Sequence, residues 1–273
     1  MNSPRDLRRR IKSIGGTAQI TRAMQMVAAS KMRKAQQAAL AARPFAQALY
    51  RIQRGAVSRL RDFSHPLLQV RDGRRVAVIL VAADKGLCGA LNTNVFRIAS
   101  QVDPETTFIT AGRRAAQFVA RSGRKLAAEF AYGDSPTFFE ARAIAAFARD
   151  LFLKGDVDQV LIIATRFVNT LTQEAVTIEY LPVGEVTGVK GPGTELEAAL
   201  AADTAEIVFE PSAEFVLGYL LGHYLNIYIF HILLNAKASE QSARMVSMKN
   251  ATDSADGLIR HLTLEYNLSL IHI

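Results

Sequence analysis

Apolar positions recur in strictly alternating steps of three and four residues from Ile11 to Leu49. They are Ile11, Ile14, Ala18, Thr21, Gln25, Ala28, Met32, Ala35, Ala39, Ala42, Ala46 and Leu49, with only Thr21 and Gln25 polar. A 3.5-residue period held this long is the a/d seam of a left-handed coiled coil rather than the face of a globular helix. Gly15 and Gly16 fall within it, each costing about 1 kcal/mol against Ala, so a bend or an end is expected there. The other terminus repeats the spacing with bulkier residues: Leu217, Leu220, Tyr224, Ile227, His231, Leu234, Ala238, Gln241, Met245, Met248, Thr252, Ala255, Ile259, Leu262 and Tyr266. Pro211 and Ser212 supply its start signal. Small residues facing large ones let two helices interlock. Two helices of roughly 50 residues, at 1.5 Å each, would make an antiparallel rod on the order of 75 Å long.

Between the termini the period changes. Val76–Ala83 (VAVILVAA) and Val160–Ala164 (VLIIA) are continuous apolar runs bounded by turn residues, as in strands buried on both faces. Thr107–Thr110 and Ala175–Leu181 read as further strands, and 90–101, 112–121 and 137–154 as helices. This alternation predicts a Rossmann-like α/β sheet with right-handed crossovers. The expected organisation is an N-terminal coiled-coil helix over 1–60, a central α/β domain over 74–209, and a C-terminal coiled-coil helix over 210–273 that pairs with the first. Gly184–Asp203, with its glycines and proline, is expected to be an exposed loop.

Charge sharpens the picture by its placement. Residues 1–61 carry fourteen Lys/Arg against one acid, Asp6, while the rest of the chain is net acidic although the whole is +8. Solvated helices ordinarily mix signs, so this one calls for an acidic partner surface: nucleic acid, anionic membrane or a protein's carboxylates. The single cysteine, Cys88, excludes an internal disulfide or a cysteine metal cluster. The first residues, MNSPRDLRRRIK, lack the apolar core of a secretory signal.

Candidate chemistry is sparse. The turn Asp84–Asn92 (DKGLCGALN) sits between a predicted strand and a predicted helix, where a phosphate would bind, yet it lacks the G-x-G-x-x-G spacing. A tight turn packing helix on sheet is the expected role, and Cys88 is expected to be a small half-buried side chain rather than a nucleophile. His223 and His231 are eight residues apart without a third ligand, and Glu174 and Glu179 read as a solvated strand face. No catalytic, cofactor-binding or metal-ligating set is assigned. Phe215–Leu234 has no charged residue over a length that could span a bilayer. The seam runs through it, so burial between the partner helix and the α/β domain is the expected explanation. An enzyme reading would rest on fold analogy alone. A basic coiled-coil nucleic-acid-binding or scaffold protein is the principal alternative reading.

Met24–Lys34 (MQMVAASKMRK), the turn DKGLCGALN, Phe167–Thr170 (FVNT), Phe209–Pro211 (FEP) and Ala238–Ile259 (ASEQSARMVSMKNATDSADGLI) resemble, in this order, the signature segments of F-type ATP synthase gamma subunits. The resemblance implies a non-catalytic rotary shaft, without a cofactor, turning inside a ring of α and β subunits and coupling proton flow to ATP synthesis or hydrolysis. It implies that Met24, Lys31, Arg33 and Lys34 face the β subunits, and that Phe209 and Glu210 lie near the membrane rotor ring of c subunits. The epsilon subunit and that ring would bind the α/β domain, at the cytoplasmic face of a bacterial inner membrane, with no membrane span. The resemblance lapses over Leu268–Ile273 (LSLIHI), where the family's final helix continues with a basic, glutamine-containing stretch. A shortened or altered C-terminal end is therefore expected, as is the absence of the thiol control of chloroplast relatives.

Overall fold

A computed structural model of the chain describes residues 3–57, 65–183, 210 and 212–271. Helix α1 (Pro4–Val57) and the last helix, α5 (Ala213–Ile271), pack antiparallel, and the chain between them folds as an α/β domain. At 1.5 Å per residue the two helices are about 80 and 90 Å long. The helix does not end at Gly15 and Gly16, as the pattern suggested it could; it continues, and a Cβ at either glycine would meet nothing within 4 Å. Seam residues on both sides, Leu7 and Ala18, are buried, and this packing outweighs the local propensity cost. Helix α5 begins where the start signal falls: the Ser212 hydroxyl accepts the Phe215 N–H at 3.2 Å.

The domain is one five-stranded sheet of β1 (Val76–Val81), β2 (Thr107–Ala111), β3 (Lys125–Phe130), β4 (Gln159–Phe167) and β5 (Gln173–Leu181), in the order β3-β2-β1-β4-β5. The pairs β1–β2, β2–β3 and β1–β4 are parallel, whereas β5 returns antiparallel to β4. Helices α2 (Leu91–Ser100) and α3 (Arg113–Arg121) cover one face, with Val95, Ala99, Ala115 and Val119 against Val78, Leu80 and Phe108. Helix α4 (Phe138–Lys154) and α5 cover the other, with Ile144, Ala148, Phe152, Leu221, Leu225 and Leu233 against Ile79, Ile109 and Ile162. The strand order changes direction at β1 just as the covering helices change face, which keeps all the crossovers of one hand.

Local signals place several boundaries. Thr137 and Glu140 form a reciprocal capping box at the start of α4, and Gly155 ends it in the left-handed conformation at φ 79°. Asn169 accepts the N–H groups of Leu171 and Thr172 at 2.9 and 2.8 Å, closing the β4–β5 hairpin within the FVNT segment. Gly112, between β2 and α3, has φ 96°, and a Cβ there would lie 2.1 Å from the Ala82 carbonyl oxygen. Strand β3 was not expected from the sequence: it is a largely exposed edge strand, KLAAEF, without the continuous apolar run of a buried one.

Candidate functional site

The heptad seam is physically present. Along α1, Leu7, Ala18, Thr21, Ala28, Met32 and Ala35 are buried and Ile11, Ile14 and Gln25 half-buried, while positions off this stripe are mostly exposed. The facing stripe of α5 runs through Met248, Thr252, Ala255, Ile259, Leu262 and Tyr266. The hydroxyls of Thr21 and Thr252 meet at 2.7 Å inside the seam, and Arg22 pairs with Asp256 at 2.9 Å beside it, fixing the antiparallel register. From Lys249 onward α5 buries only this one stripe, so the last 23 helical residues, about 35 Å, pack as one side of a two-helix rod.

That rod carries apolar side chains on its outside as well. Ile20, Met26, Val27, Leu264 and Ile271 are all more than half exposed. Cations accompany them: Arg8, Arg9, Arg10, Lys12, Arg33 and Lys34 are exposed, and no carboxylate among the described residues lies within ion-pair distance of them. A surface that is greasy and cationic together suits contact with a partner more than contact with water.

The residues singled out in the sequence fall into different settings. Met24 is half-buried at the margin of the seam, Arg33 and Lys34 project outward, and Glu210 is exposed. Phe209 lies outside the described residues, as does Gly184–Asp203, where a loop was expected. Lys31 is engaged within the chain, its ammonium donating to Asp134 of the α/β domain.

The glycine-rich turn has an internal occupation. The Asp84 carboxylate accepts the Arg113 N–H at 2.9 Å, so a side-chain anion already sits at the first turn of α3. The carbonyls of Lys85 and Gly86 accept from the Arg244 guanidinium of α5, the closest contact being 3.2 Å to Gly86. Leu87 and Gly89 both take positive φ, 62° and 59°, bending the chain so that Cys88 turns inward. Cys88 is fully buried at 2% exposure rather than half-buried, because α5 closes over the turn, and burial pushes its thiol pKa up. A buried, protonated thiol is a packing group.

Sequence reasoning missed what lies beside this turn. Lys237, Glu240 and Arg244 share one face of α5, and their side chains are 1%, 3% and 10% exposed. Glu240 accepts from Lys237 at 3.0 Å and from Arg244 at 2.8 Å. Lys237 also approaches Asp134 at 3.4 Å and stands 5.0 Å over the ring of Tyr132. The hydrogen bond from Lys31, with Lys237 behind it, holds the Asp134 carboxyl below the ordinary aspartate range. Tyr132 donates to the Ala82 carbonyl at 3.1 Å, and burial raises its phenol well above the usual value. Ser242 donates to the Thr170 carbonyl at 2.6 Å. Three separate signature segments (the glycine turn, FVNT and ASEQSAR) therefore meet where α5 crosses the C-terminal edge of the sheet. The available signal was the spacing of Lys237, Glu240 and Arg244, charges at i, i+3 and i+7 directly after the uncharged run Phe215–Leu234.

The remaining candidates resolve into ordinary packing. A cavity of about 340 Å³ between Cys88, Leu91, Thr165, Leu171, Ala243 and Ser247 lies at the direction change of the sheet, with no charged side chain lining it. His223 packs against Phe138 at 5.7 Å and His231 neighbours Phe230. Glu174 pairs across the hairpin with Arg166 at 2.6 Å. Helix α5 contains a window long and apolar enough to cross a membrane. In that stretch Leu221, Leu225, Ile229 and Leu233 belong to the domain core, and the seam positions Leu217, Ile227 and Leu234 are buried too, while Phe215 and Tyr219 are exposed.

Comparison with known proteins bears on the whole chain. The family model described as ATP synthase matches residues 3–269. The ATP synthase gamma chain of Opitutus terrae is 43% identical, covering 98% of this chain and 92% of its own length. That of Pelotomaculum thermopropionicum is 42% identical with the same coverage. Among solved structures, a chain of the central stalk and c-ring of Tetrahymena thermophila mitochondrial ATP synthase matches with TM-score 0.60 at 25% identity, covering 85% of this chain and 99% of that one. A chain of the Euglena gracilis mitochondrial ATP synthase rotor shares the fold, with TM-score 0.63 at 17% identity and 98% of each chain covered. An unbroken antiparallel rod on a doubly wound domain, with this likeness over nearly its full length, leaves one assignment: the chain belongs to the ATP synthase gamma chain family.

Proposed function

We propose that this chain is the rotary shaft of an F-type, proton-translocating ATP synthase, coupling proton flow through the membrane rotor ring to ATP chemistry at the β subunits, and that it has no catalytic site of its own. The observation that carries the reading is the two-helix rod, whose outer surface combines exposed Ile20, Met26 and Leu264 with exposed Arg9, Arg33 and Lys34. Such a rod is asymmetric about its axis. Each angle of rotation presents a different surface to each surrounding β subunit, and this shifts its balance of open and closed catalytic sites. A ligand-exchange step is thereby tied to shaft angle.

In this reading Met24 contacts the β subunits, Arg33 and Lys34 face their acidic loops, Lys31, expected there too, is taken up by Asp134 within the chain, and Phe209 and Glu210 lie toward the rotor ring. Residues 1–60 and 210–273 form the shaft, and 74–209 the domain that binds the epsilon subunit and the c ring, peripherally at the cytoplasmic face of a bacterial inner membrane. Co-expression with α and β subunits tests it. The expected result is a co-purifying complex with ATPase activity, and recovery of the chain as a monomer in their presence would refute it.

A further inference from the structure

We propose that Asp134 is a torque-bearing positioning residue: its carboxylate clamps Lys31 of α1 and Lys237 of α5 onto the α/β domain, so that a load on the rod enters the domain through this ionic joint. The inference rests on the rotary-shaft reading. Helix α1 packs almost wholly against α5, and among the described residues its hydrogen bond to the α/β domain is that of Lys31 to Asp134. The Thr21–Thr252 hydrogen bond and the Arg22–Asp256 pair tie α1 to α5 but not to the domain, and the remaining seam contacts are apolar and non-directional, so they pass a sideways load on α1 to α5 rather than directly to the domain. The Lys31 and Asp134 side chains are 40% and 51% exposed, so the pair adds direction rather than much stability, and its anchor is the buried Lys237 on the same carboxylate.

Both ends are held here. On the rod side, Lys237 is buried and tied to Glu240, and through Glu240 to Arg244 and the turn at Gly86. On the domain side, Asp134 lies between two anchors. Tyr132 is hydrogen-bonded to the Ala82 carbonyl just beyond β1, and the Gly133 N–H donates at 3.0 Å to Glu140, whose carboxylate also closes the capping box of α4. The 132–137 segment is therefore a braced platform that presents one carboxylate to two helices.

The test uses the complete ATP synthase containing this chain in sealed vesicles, reading ATPase rate and ATP-driven proton pumping together. For Asp134→Asn the ATPase rate is expected to stay near that of the parent. The protons pumped per ATP should fall about threefold or more, within the range that single positions in a coupling network command. Asp134→Glu should restore coupling. Lys237→Met, which keeps the Lys31–Asp134 contact and removes a buried charge without leaving a void, should show an intermediate loss and guards against a folding defect in the first variant. Parental coupling in Asp134→Asn overturns the proposal, as does an equal fall in both activities that glutamate does not rescue. If the parent chain itself fails to form an ATPase with α and β, the rotary reading falls and takes the joint with it.

Discussion

Replacing Glu240 by Gln tests the buried network where its energetics are most one-sided. The carboxylate, 3% exposed, is shared by two cations, Lys237 at 3.0 Å and Arg244 at 2.8 Å. Gln keeps the shape and one acceptor but removes the charge, leaving Lys237 with Asp134 at 3.4 Å and Arg244 with the carbonyls of Lys85 and Gly86. Breaking a buried pair from one side costs about 3–5 kcal/mol. The surviving partners of both cations place the expected loss near the lower end, about 3 kcal/mol. At roughly 2–4 °C per kcal/mol for a chain of this size, the melting temperature should fall by about 6–12 °C. Lys237→Met should cost less, about 1 kcal/mol, because Glu240 keeps Arg244 and Asp134 keeps Lys31. The double variant should then be less destabilised than the two single effects added, by more than about 1 kcal/mol. Urea unfolding followed by circular dichroism on the four proteins of this cycle measures it. Additivity within about 0.5 kcal/mol, or a Glu240→Gln loss below about 1 kcal/mol, would show that water solvates these charges and would refute the reasoning.

Other outcomes follow from single contacts. Ala28→Leu, at a seam position only 1% exposed, should destabilise by about 1–3 kcal/mol through overpacking, whereas Met26→Gln on the exposed side should stay within about 0.5 kcal/mol; thermal unfolding separates the two. Gly112→Ala should cost about 3 kcal/mol or more in the same assay, since its Cβ would collide with the Ala82 carbonyl at a positive φ. Alkylation of Cys88 by iodoacetamide should be slow in the native chain and rapid in urea, because the thiol is buried and its pKa raised; fast native labelling would contradict the closed turn. The Asp158 carboxyl is held low by its hydrogen bonds from Arg75, and Asp134 by Lys31 and Lys237. A depressed folded-state pKa contributes stability that is complete above the unfolded value near 4 and is lost as pH falls through the folded one. The urea midpoint should therefore drop as pH falls below about 5, and Arg75→Met should flatten part of that slope.

Legibility followed the range of the interactions concerned. The seam from Ile11 to Ala35, the buried strands at Val76 and Val160 and the helix over 137–154 were all readable, because each is a spacing between near neighbours that every folded state must respect. Strand β3 was hidden, since an exposed edge need not carry an apolar run, and the antiparallel return of β5 depends on the hairpin turn at Asn169. The glycine turn was recognisable as a turn, but its task was not: Arg244, which fills it, is 158 residues away in the chain, and Lys31 is 103 residues from Asp134. Periodicity alone thus determined a rod and a doubly wound sheet. Tertiary structure decided how the rod is fastened to the sheet, because a charge reveals its partners only once the packed helices have set which carboxylates, here Asp134 and Glu240, lie within reach.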